Sequence, residues 1–489
     1  MIKHIVRQDP KEPKFVQIVS EISTLGSNRT LLQLPAWRPG RYELGNFAKN
    51  IKGFKVYDHS EKELNFKKIS KDCWEIETNE VAYFYISYYY YAQQPDAGAC
   101  YVSNEMIYLN PVHCFMYVSG RIEEGHQVKF EVPSDWKIAC QLPINGMELS
   151  APNFDALADS PVFVAAQMQH HSFSLNQTNF HFWFVGGEYP VLERLAADTQ
   201  KYAAWQTNLF GELPCKDFHF MYLLLPTVFR HGVEHMDSTV IAMGPLAELG
   251  NEDVYHDFLA ISSHELFHLW NVKRIRPVEL LPYDFTKENY SRLGYVYEGV
   301  TTYYGDLALW LSGVWNWEQY SASLSGDLSK HLNNEGRNFY CVAESSFDTW
   351  LDGYVPGVPG RKVSIYTEGL VAALVADVML IEATNGKKRL HDVMKVLYER
   401  TWNQGVGYTQ EMYQSILEEI AGISFSSYFS DLIEGKGHLE NCLLESLFKL
   451  GLSAEKQVDV TGIVTYRIVK FMNPTISQAQ LFDFWSQSH

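Results

Sequence analysis

The sequence has little positive charge and no long apolar run. Lys and Arg number 40 against 58 Asp and Glu, so the formal net charge of the 489 residues is −18. An acidic surface of this kind argues against binding to nucleic acid or to anionic membranes. No segment approaches the roughly 18 apolar residues of a membrane span, and the N-terminal MIKHIVRQDPKEPKFVQ lacks the apolar core of a signal peptide. We therefore expect neither a nucleic-acid partner nor a membrane partner.

Cysteine is scarce and shows no metal-site or disulfide spacing. The seven cysteines are odd in number, scattered, and never arranged as C-x-x-C. Such cysteines are typical of free thiols in a reducing compartment. We therefore expect a cytoplasmic protein, whose oligomeric state the sequence leaves open.

Residues 1–175 show the pattern of β-strands. Segments such as FVQIVSEIS, DCWEIET and AYFYISYYYYA alternate or run in β-branched and aromatic residues, and turn sequences such as PGRY separate them. No long helical period occurs in this part. The pattern predicts an N-terminal antiparallel β-sandwich-like domain.

From residue 176 onward the pattern becomes mostly helical. Apolar residues recur at helical spacing in TQKYAAWQTNLFG, VYHDFLAISSHELFHLWNVKR and YEGVTTYYGDLALWLSG. This predicts a second, mostly helical domain over residues 176–455, in an α+β multidomain protein. The tail, residues 456–489, includes VDVTGIVTYRIVKF, which predicts one or two strands.

The second domain contains the pattern H-E-x-x-H at residues 264–268. Residues four apart share one face of a helix, so His264 and His268 can present two imidazoles to one zinc ion. Glu265 would then be placed to act as a general base on a water molecule at that ion. The alternative is a pair of histidines that are hydrogen-bonded in a core.

The third ligand distinguishes the classes of zinc site. The extended pattern H-E-x-x-H-x-x-G-x-x-H requires Gly at 271 and His at 274, whereas the chain has Asn271 and Arg274. A glutamate on a following helix is the other solution, and Glu298 opens such a segment in YEGVTTYYGDLALW. Two histidines and one glutamate leave a coordination position open, as in catalytic zinc sites. The alternative for Glu298 is a surface glutamate at a helix N-terminus.

These motifs resemble those of the glycyl aminopeptidase family of zinc metallopeptidases. The resemblance extends over most of residues 30–455 and includes LPAWRPGRYELGNFAKNI, GVEHMDSTV, HELFHLWNVKRIRP, YEGVTTYYGDL and SIYTEGLVAALVADVML. It implies a β-rich N-terminal domain followed by a thermolysin-like catalytic domain. It also implies an enzyme that removes small N-terminal residues, chiefly Gly and Ala, from peptides.

The resemblance implies a role for each matched residue. His264, His268 and Glu298 match the family's ligands for a single zinc ion, and Glu265 matches its catalytic base.

Two further residues match positions that contact the substrate. Glu234, in GVEHMDST, occupies the place of a carboxylate that binds the substrate's α-amine, which a charge-assisted hydrogen bond would do. Tyr366, in YTEG, matches a tyrosine that donates to the developing oxyanion.

The chain departs from the family pattern at two places. The family more often has lysine where this chain has Glu368, which predicts a changed local ion pair. Family members commonly carry a C-terminal PDZ domain, and the residues after Gly451 are too few for that fold of roughly 80–90 residues. We therefore expect the tail to contain no complete PDZ domain.

Two rival functions remain open at this stage. One is an endopeptidase that uses the same zinc chemistry and cleaves peptides without a free amine. The other is a peptide-binding module without catalysis, which the presence of Glu265 and all three matched ligands disfavours.

Overall fold

Chain segments that are distant in sequence come together in each of two structural units. The computed structural model describes residues 1–79, 81–355 and 357–487. Unit 1 consists of Met1–Leu192, Cys215–Tyr255 and Asp284–Glu288. Unit 2 consists of Glu193–Pro214, His256–Tyr283 and Asn289–His489. The predicted domain boundaries, 175/176 and 455/456, stay predictions.

Unit 1 consists mainly of short strands, as the alternating pattern predicts for residues 1–175; its last four strands lie between residues 178 and 244, in the part predicted to be mostly helical. Its strands are β1 (Ile2–Gln8), β2 (Phe15–Ser23), β3 (Arg29–Gln33), β4 (Ile51–Tyr57), β5 (Phe66–Lys68), β6 (Cys73–Glu77), β7 (Tyr83–Tyr91), β8 (Tyr101–Val102), β9 (Met106–Leu109), β10 (Tyr117–Val118), β11 (His126–Glu131), β12 (Lys137–Ala139), β13 (Ile144–Asn145), β14 (Glu148–Ala151), β15 (Val162–Ala165), β16 (Gln169–Leu175), β17 (Thr178–Val185), β18 (Asp217–Leu224), β19 (Phe229–Glu234) and β20 (Ser238–Gly244). Two short helices accompany them, α1 (Pro111–Cys114) and α2 (Phe154–Ala158).

These strands form four sheets. Their strand orders are β13-β14-β11-β1-β2-β7-β4, β10-β3-β6-β5, β12-β15-β9-β8 and β16-β17-β18-β20-β19. The last two share a core in which Tyr108 and Phe163 pack with Met221 and Val240. The β-rich N-terminal fold is therefore confirmed.

The aromatic run of β7 is a core strand. Phe84, Ile86, Tyr88 and Tyr90 are buried, and the residues between them lie on the other face. Most strand pairs are antiparallel, but β1 with β11, β17 with β18 and β18 with β20 are parallel. A parallel pair needs a long connection, and the strands between β1 and β11 supply one.

Unit 2 is mostly helical. Its elements are α3 (Leu192–Phe210), α4 (Glu252–Phe267), a π-helical turn (Tyr295–Val300), α5 (Thr301–Leu311), α6 (Trp317–Asn333), α7 (Val342–Asp352), α8 (Thr367–Ala383), α9 (Leu390–Thr401), α10 (Gln410–Ala421), a second π-helical turn (Tyr428–Ile433), α11 (Leu439–Lys449), β21 (Leu452–Val458), β22 (Val464–Lys470) and α12 (Ile476–Ser486). The first residues of α3 and α4 belong to unit 1. None of the helices in the described ranges is long and apolar enough to span a membrane.

The C-terminal segment forms part of the core of unit 2. Its two strands pair as the antiparallel hairpin β21–β22. The strand prediction for VDVTGIVTYRIVKF is met by β22, whereas β21 lies before that segment and shares only Val458 with it. The following helix, α12, places Trp485 in the interior, fully buried. The last two residues of the predicted tail lie outside the described residues.

Trp485 completes a buried ionic network that links four helices. The Arg389 guanidinium contacts Asp377 at 2.7 Å and donates to the Trp485 carbonyl at 2.9 Å. The Tyr303 hydroxyl donates to Asp377 at 2.6 Å and accepts from the Trp485 indole at 2.8 Å. Burial alone would raise the pKa of Asp377, but the charge of Arg389 and the hydrogen bonds outweigh this effect and lower it. Helices α5, α8 and α12 and the start of α9 are therefore joined at one point.

We expect Arg389→Met to lower the free energy of unfolding by about 3–5 kcal/mol, because it leaves the Asp377 charge buried without its cation. The matched control is Lys388→Met, which removes the exposed Lys388–Asp392 pair and should change the free energy of unfolding by at most about 1 kcal/mol. Urea unfolding measures both values. Equal effects for the two variants would contradict the importance of the buried pair.

Candidate functional site

The H-E-x-x-H segment lies at the C-terminal end of α4. The sequence pattern predicts a helix through the whole motif, but α4 ends at Phe267, and the chain continues in irregular turns whose amides donate three, four or five residues back. The amide of His268 still donates to the carbonyl of His264, at 3.3 Å, so both imidazoles lie on one face. The Nδ1 atom of His268 is 2.7 Å from the Asn271 carbonyl oxygen. Because a carbonyl only accepts, Nδ1 carries a proton, and in the neutral ring this leaves the lone pair on Nε2.

Glu298 lies in the π-helical turn that precedes α5. Its Oε2 atom is 3.8 Å from Nε2 of His264 and 3.5 Å from Nε2 of His268. The two Nε2 atoms are 3.1 Å apart. The structure therefore brings the three predicted ligands together, and each presents one ligand atom to a common point.

The spacing of these atoms fits a metal ion. Nitrogen and oxygen ligands at about 2.0–2.2 Å in a tetrahedron are separated from one another by roughly 3.3–3.6 Å. The three observed separations, 3.1, 3.5 and 3.8 Å, lie around that range. Glu298 is only 4% exposed, and a carboxylate is costly to bury unless positive charge or hydrogen bonds compensate it. A divalent cation supplies such a charge.

Two other predicted residues lie in unit 2. Glu265 follows His264 in α4 and is buried. Tyr366 directly precedes α8, and its hydroxyl donates to Oε1 of Glu298 at 3.3 Å. The phenol therefore contacts one oxygen of the carboxylate whose other oxygen faces the imidazoles.

Glu234 belongs to unit 1, where it is the last residue of β19 and pairs with Thr239 of β20. It is buried, and its carboxylate lies against Gly40 of the PGRY turn. A Cβ atom at position 40 would be 2.6 Å from Oε2 of Glu234, and Gly40 has a φ of +72°. The positive φ favours glycine here, and any larger residue would displace the Glu234 carboxylate, so the LPAWRPGRY segment and Glu234 form one local structure. The role of Glu234 stays a prediction.

Sequence reasoning missed two glycines that set the helix crossings at the ligands. A Cβ atom at Gly299, the residue after Glu298, would be 2.3 Å from Cα of Gly369 in α8. A Cβ atom at Gly305 of α5 would be 3.1 Å from Cα of His264. Both glycines stand in YEGVTTYYGDL, six residues apart, and glycine inside an apolar helical pattern is a sign of close backbone approach. The two contacts fix Glu298 relative to Tyr366 and relative to the histidines.

Comparison with known protein families identifies the family of this chain. Residues 4–166 match the Peptidase M61 N-terminal domain, and residues 257–372 match the M61 glycyl aminopeptidase domain. Together the two matches cover more than half of the chain. The chain belongs to the M61 glycyl aminopeptidase family. It is therefore a metallo-aminopeptidase. The second match contains His264, Glu265, His268, Glu298 and Tyr366, and Glu234 lies between the two matches.

Solved structures show the same architecture. An aminopeptidase N family protein from Idiomarina loihiensis is 26% identical, with a TM-score of 0.89 over 95% of this chain and 81% of that chain. An M1 zinc metallopeptidase from Deinococcus radiodurans is 11% identical, with a TM-score of 0.55 over 89% of this chain and 93% of that one. A variant of the M1 enzyme from that organism, bound to a Tyr-Ser-Ala substrate, is 13% identical, with a TM-score of 0.53 over 89% and 93%. The last two likenesses show the fold. A search of curated protein sequences finds no match.

We expect Gly299→Ala to weaken binding of divalent metal at least about tenfold, because the added methyl group forces the π-helical turn away from α8 and displaces Glu298. The matched control is Gly326→Ala in α6, where a Cβ atom meets nothing within 4 Å. Alanine there should leave metal affinity unchanged and raise the free energy of unfolding by about 0.5–1 kcal/mol. Chelator competition and urea unfolding measure these effects. Unchanged metal affinity in Gly299→Ala would contradict the proposed constraint.

Proposed function

We propose that this metallo-aminopeptidase binds one zinc ion through His264, His268 and Glu298, and releases small N-terminal residues, Gly and Ala, from peptides. The observation that carries the proposal is the ligand triangle, with edges of 3.1, 3.5 and 3.8 Å and a buried carboxylate at one corner. The lone pair on Nε2 of His268 and the imidazole and carboxylate donor set suit zinc.

Glu265 is the proposed general base. When bound, zinc supplies Lewis acidity that lowers the pKa of water and polarises a carbonyl oxygen. Glu265 takes the proton from the attacking water and delivers it to the leaving amine. Its position directly after His264 on the same helix supports this role, since a base must be within hydrogen-bond reach of the water.

Tyr366 is the proposed oxyanion donor. Its hydroxyl donates to Oε1 of Glu298 in the structure, so it already lies beside the metal ligands. A small movement of the phenol would direct the same proton toward the carbonyl oxygen of the substrate. A donor that acts on charge formed only in the transition state raises kcat more than it improves substrate binding.

Glu234 is the proposed acceptor for the substrate's α-ammonium. Its burial supports the role, because a charge-assisted hydrogen bond is strong when both groups are removed from water. The Tyr-Ser-Ala substrate of the Deinococcus radiodurans enzyme supports a peptide as the substrate class here. The match to the M61 glycyl aminopeptidase domain supports glycine as a released residue, and alanine is proposed with it as the next smallest side chain.

We also propose that the protein acts in the cytoplasm and does not bind nucleic acid. All seven cysteines are free thiols in the structure, as expected in a reducing compartment. The net charge of −18 opposes binding to a polyanion.

We expect Glu265→Gln to retain zinc and to lose at least about 10²-fold in kcat, because glutamine keeps the shape of the side chain but cannot accept the proton. His264→Ala is the companion variant, and it should lose most of the zinc. Metal content per chain and hydrolysis of Ala-anilide, with and without a chelator, measure the two effects. A zinc-loaded Glu265→Gln enzyme with normal kcat would exclude Glu265 as the base, and full zinc in His264→Ala would exclude His264 as a ligand.

We expect the enzyme to cleave Ala-anilide and to ignore acetyl-Ala-anilide, because acetylation removes the positive charge that Glu234 binds. Loss of a charge-assisted hydrogen bond costs about 1.5–3 kcal/mol, or roughly 10- to 100-fold in kcat/KM. Glu234→Ala should lower kcat/KM for Ala-anilide by at least that factor, narrow the gap to the acetylated substrate and leave zinc content unchanged. Equal cleavage of both substrates by the wild-type enzyme would instead identify an endopeptidase on the same site.

A further inference from the structure

Asn271 connects the histidine motif to the segment that carries Glu298. Its side chain is fully buried just after α4. The Nδ2 atom donates to the Val296 carbonyl at 2.9 Å and to the Thr301 hydroxyl at 3.1 Å. Val296 lies two residues before Glu298 and Thr301 three residues after it, so one amide group holds the π-helical turn on both sides of the ligand.

The backbone of Asn271 holds the other ligand. Its carbonyl oxygen accepts from Nδ1 of His268 at 2.7 Å. The Thr301 hydroxyl lies 3.0 Å from the same oxygen and 2.8 Å from the Tyr297 carbonyl. A hydroxyl has one proton to donate, and here it is shared between two carbonyls while its oxygen accepts from Asn271. Asn271 and Thr301 therefore hydrogen-bond to each other, and together they hold the ring of His268 and the backbone on both sides of Glu298.

This arrangement is not the one that stability alone would favour. The Oδ1 atom of Asn271 is buried and accepts no hydrogen bond from the described residues. Rotating the amide would not help, because it would direct the oxygen at the Val296 carbonyl, which is also an acceptor. A buried acceptor without a donor is costly, and such costs are retained mainly at functional sites.

We propose that Asn271 and Thr301 are positioning residues that hold His268 and Glu298 at metal-binding spacing before the ion arrives. The inference rests on the proposed zinc site. Ligands that are already in place need no reordering when the metal binds, so the contacts behind them raise metal affinity. Loss of such contacts typically weakens metal binding 10- to 100-fold.

The test uses two substitutions at one position. Thr301→Val has nearly the same shape as threonine but removes the hydroxyl, whereas Thr301→Ser keeps the hydroxyl. The control is Thr401→Val in α9, where the buried hydroxyl donates to the Leu397 carbonyl at 2.8 Å within its own helix. Chelator competition measures the zinc Kd. We expect this Kd to rise about 10- to 100-fold in Thr301→Val and to stay near the wild-type value in Thr301→Ser and Thr401→Val.

A second readout separates positioning from simple support of the fold. Zinc raises the unfolding midpoint of a protein that binds it when folded. In Thr301→Val this zinc-dependent rise should shrink, whereas Thr401→Val should lower the midpoint equally with and without zinc. The visible spectrum of the cobalt-substituted protein should also change in Thr301→Val alone, because its ligands are held differently.

Three outcomes decide the matter. The expected pattern in Kd, unfolding midpoint and cobalt spectrum supports the inference. Wild-type zinc affinity in both Thr301→Val and Asn271→Ala overturns it and leaves the proposed function intact. A wild-type protein that binds no zinc overturns the proposed function together with the inference. If Asn271→Ala does not fold, the Thr301 pair alone gives the answer.

Discussion

The constraint on which the site depends is the close spacing of three electron-rich ligand atoms in a buried place. Two imidazole nitrogens and a carboxylate oxygen lie within 3.8 Å of one another. Atoms with lone pairs repel one another, and burial of the carboxylate removes the water that would solvate it. If all three atoms are to offer lone pairs to a cation, the surrounding structure has to hold them in place. The helix crossings at Gly299 and Gly305 meet this requirement, since a Cβ atom would be 2.3 Å from the Gly369 backbone at the first and in tight contact, at 3.1 Å, with the His264 backbone at the second.

A second set of contacts, away from the predicted ligands, fixes the positions of the helices that cross there. The buried network of Asp377, Arg389, Tyr303 and Trp485 joins α5 and α8, the same two helices that meet near Glu298 and Tyr366. A buried ion pair is weak evidence for stability, but its short, directional contacts allow few other arrangements of the helices. The C-terminal helix contributes through Trp485, so the segment predicted only as a tail helps to hold α5 and α8, the helices that follow Glu298 and Tyr366.

The chemistry of the site could be read from the sequence more completely than its architecture. H-E-x-x-H predicts by helix geometry that two side chains share a face, and the structure places them so. Glu298 was one candidate for a third ligand, and its assignment relied on the family resemblance as well; the roles of all three residues stay predictions. The alternating strands of residues 1–175 could also be predicted from the sequence, because a half-buried strand has a period of two. The end of α4 at Phe267 could not be predicted, because the apolar period continues through turns that are no longer α-helical.

Asn271 shows the limit of reading residues by their place in a motif. From the sequence, it only excludes a second class of zinc site. In the structure, it contacts Val296 and Thr301, about 25 to 30 residues further along the chain. No local pattern encodes such a partner, because the contact depends on where two separate segments meet. The parallel pairing of β1 with β11 escaped prediction for the same reason.

The departure at Glu368 can be understood from what faces it. Nδ1 of His331, in the last turn of α6, lies 2.7 Å from Oε1 of Glu368, and both side chains are buried. A lysine at position 368 would offer only donors to an imidazole that already presents its N–H there, whereas glutamate accepts that proton. The next residue, Gly369, faces Gly299 instead. The altered pair is therefore accommodated between α6 and α8, and the crossing beside Glu298 keeps its close approach. This explains how a charge reversal two residues from Tyr366 can coexist with an unaltered set of predicted metal ligands.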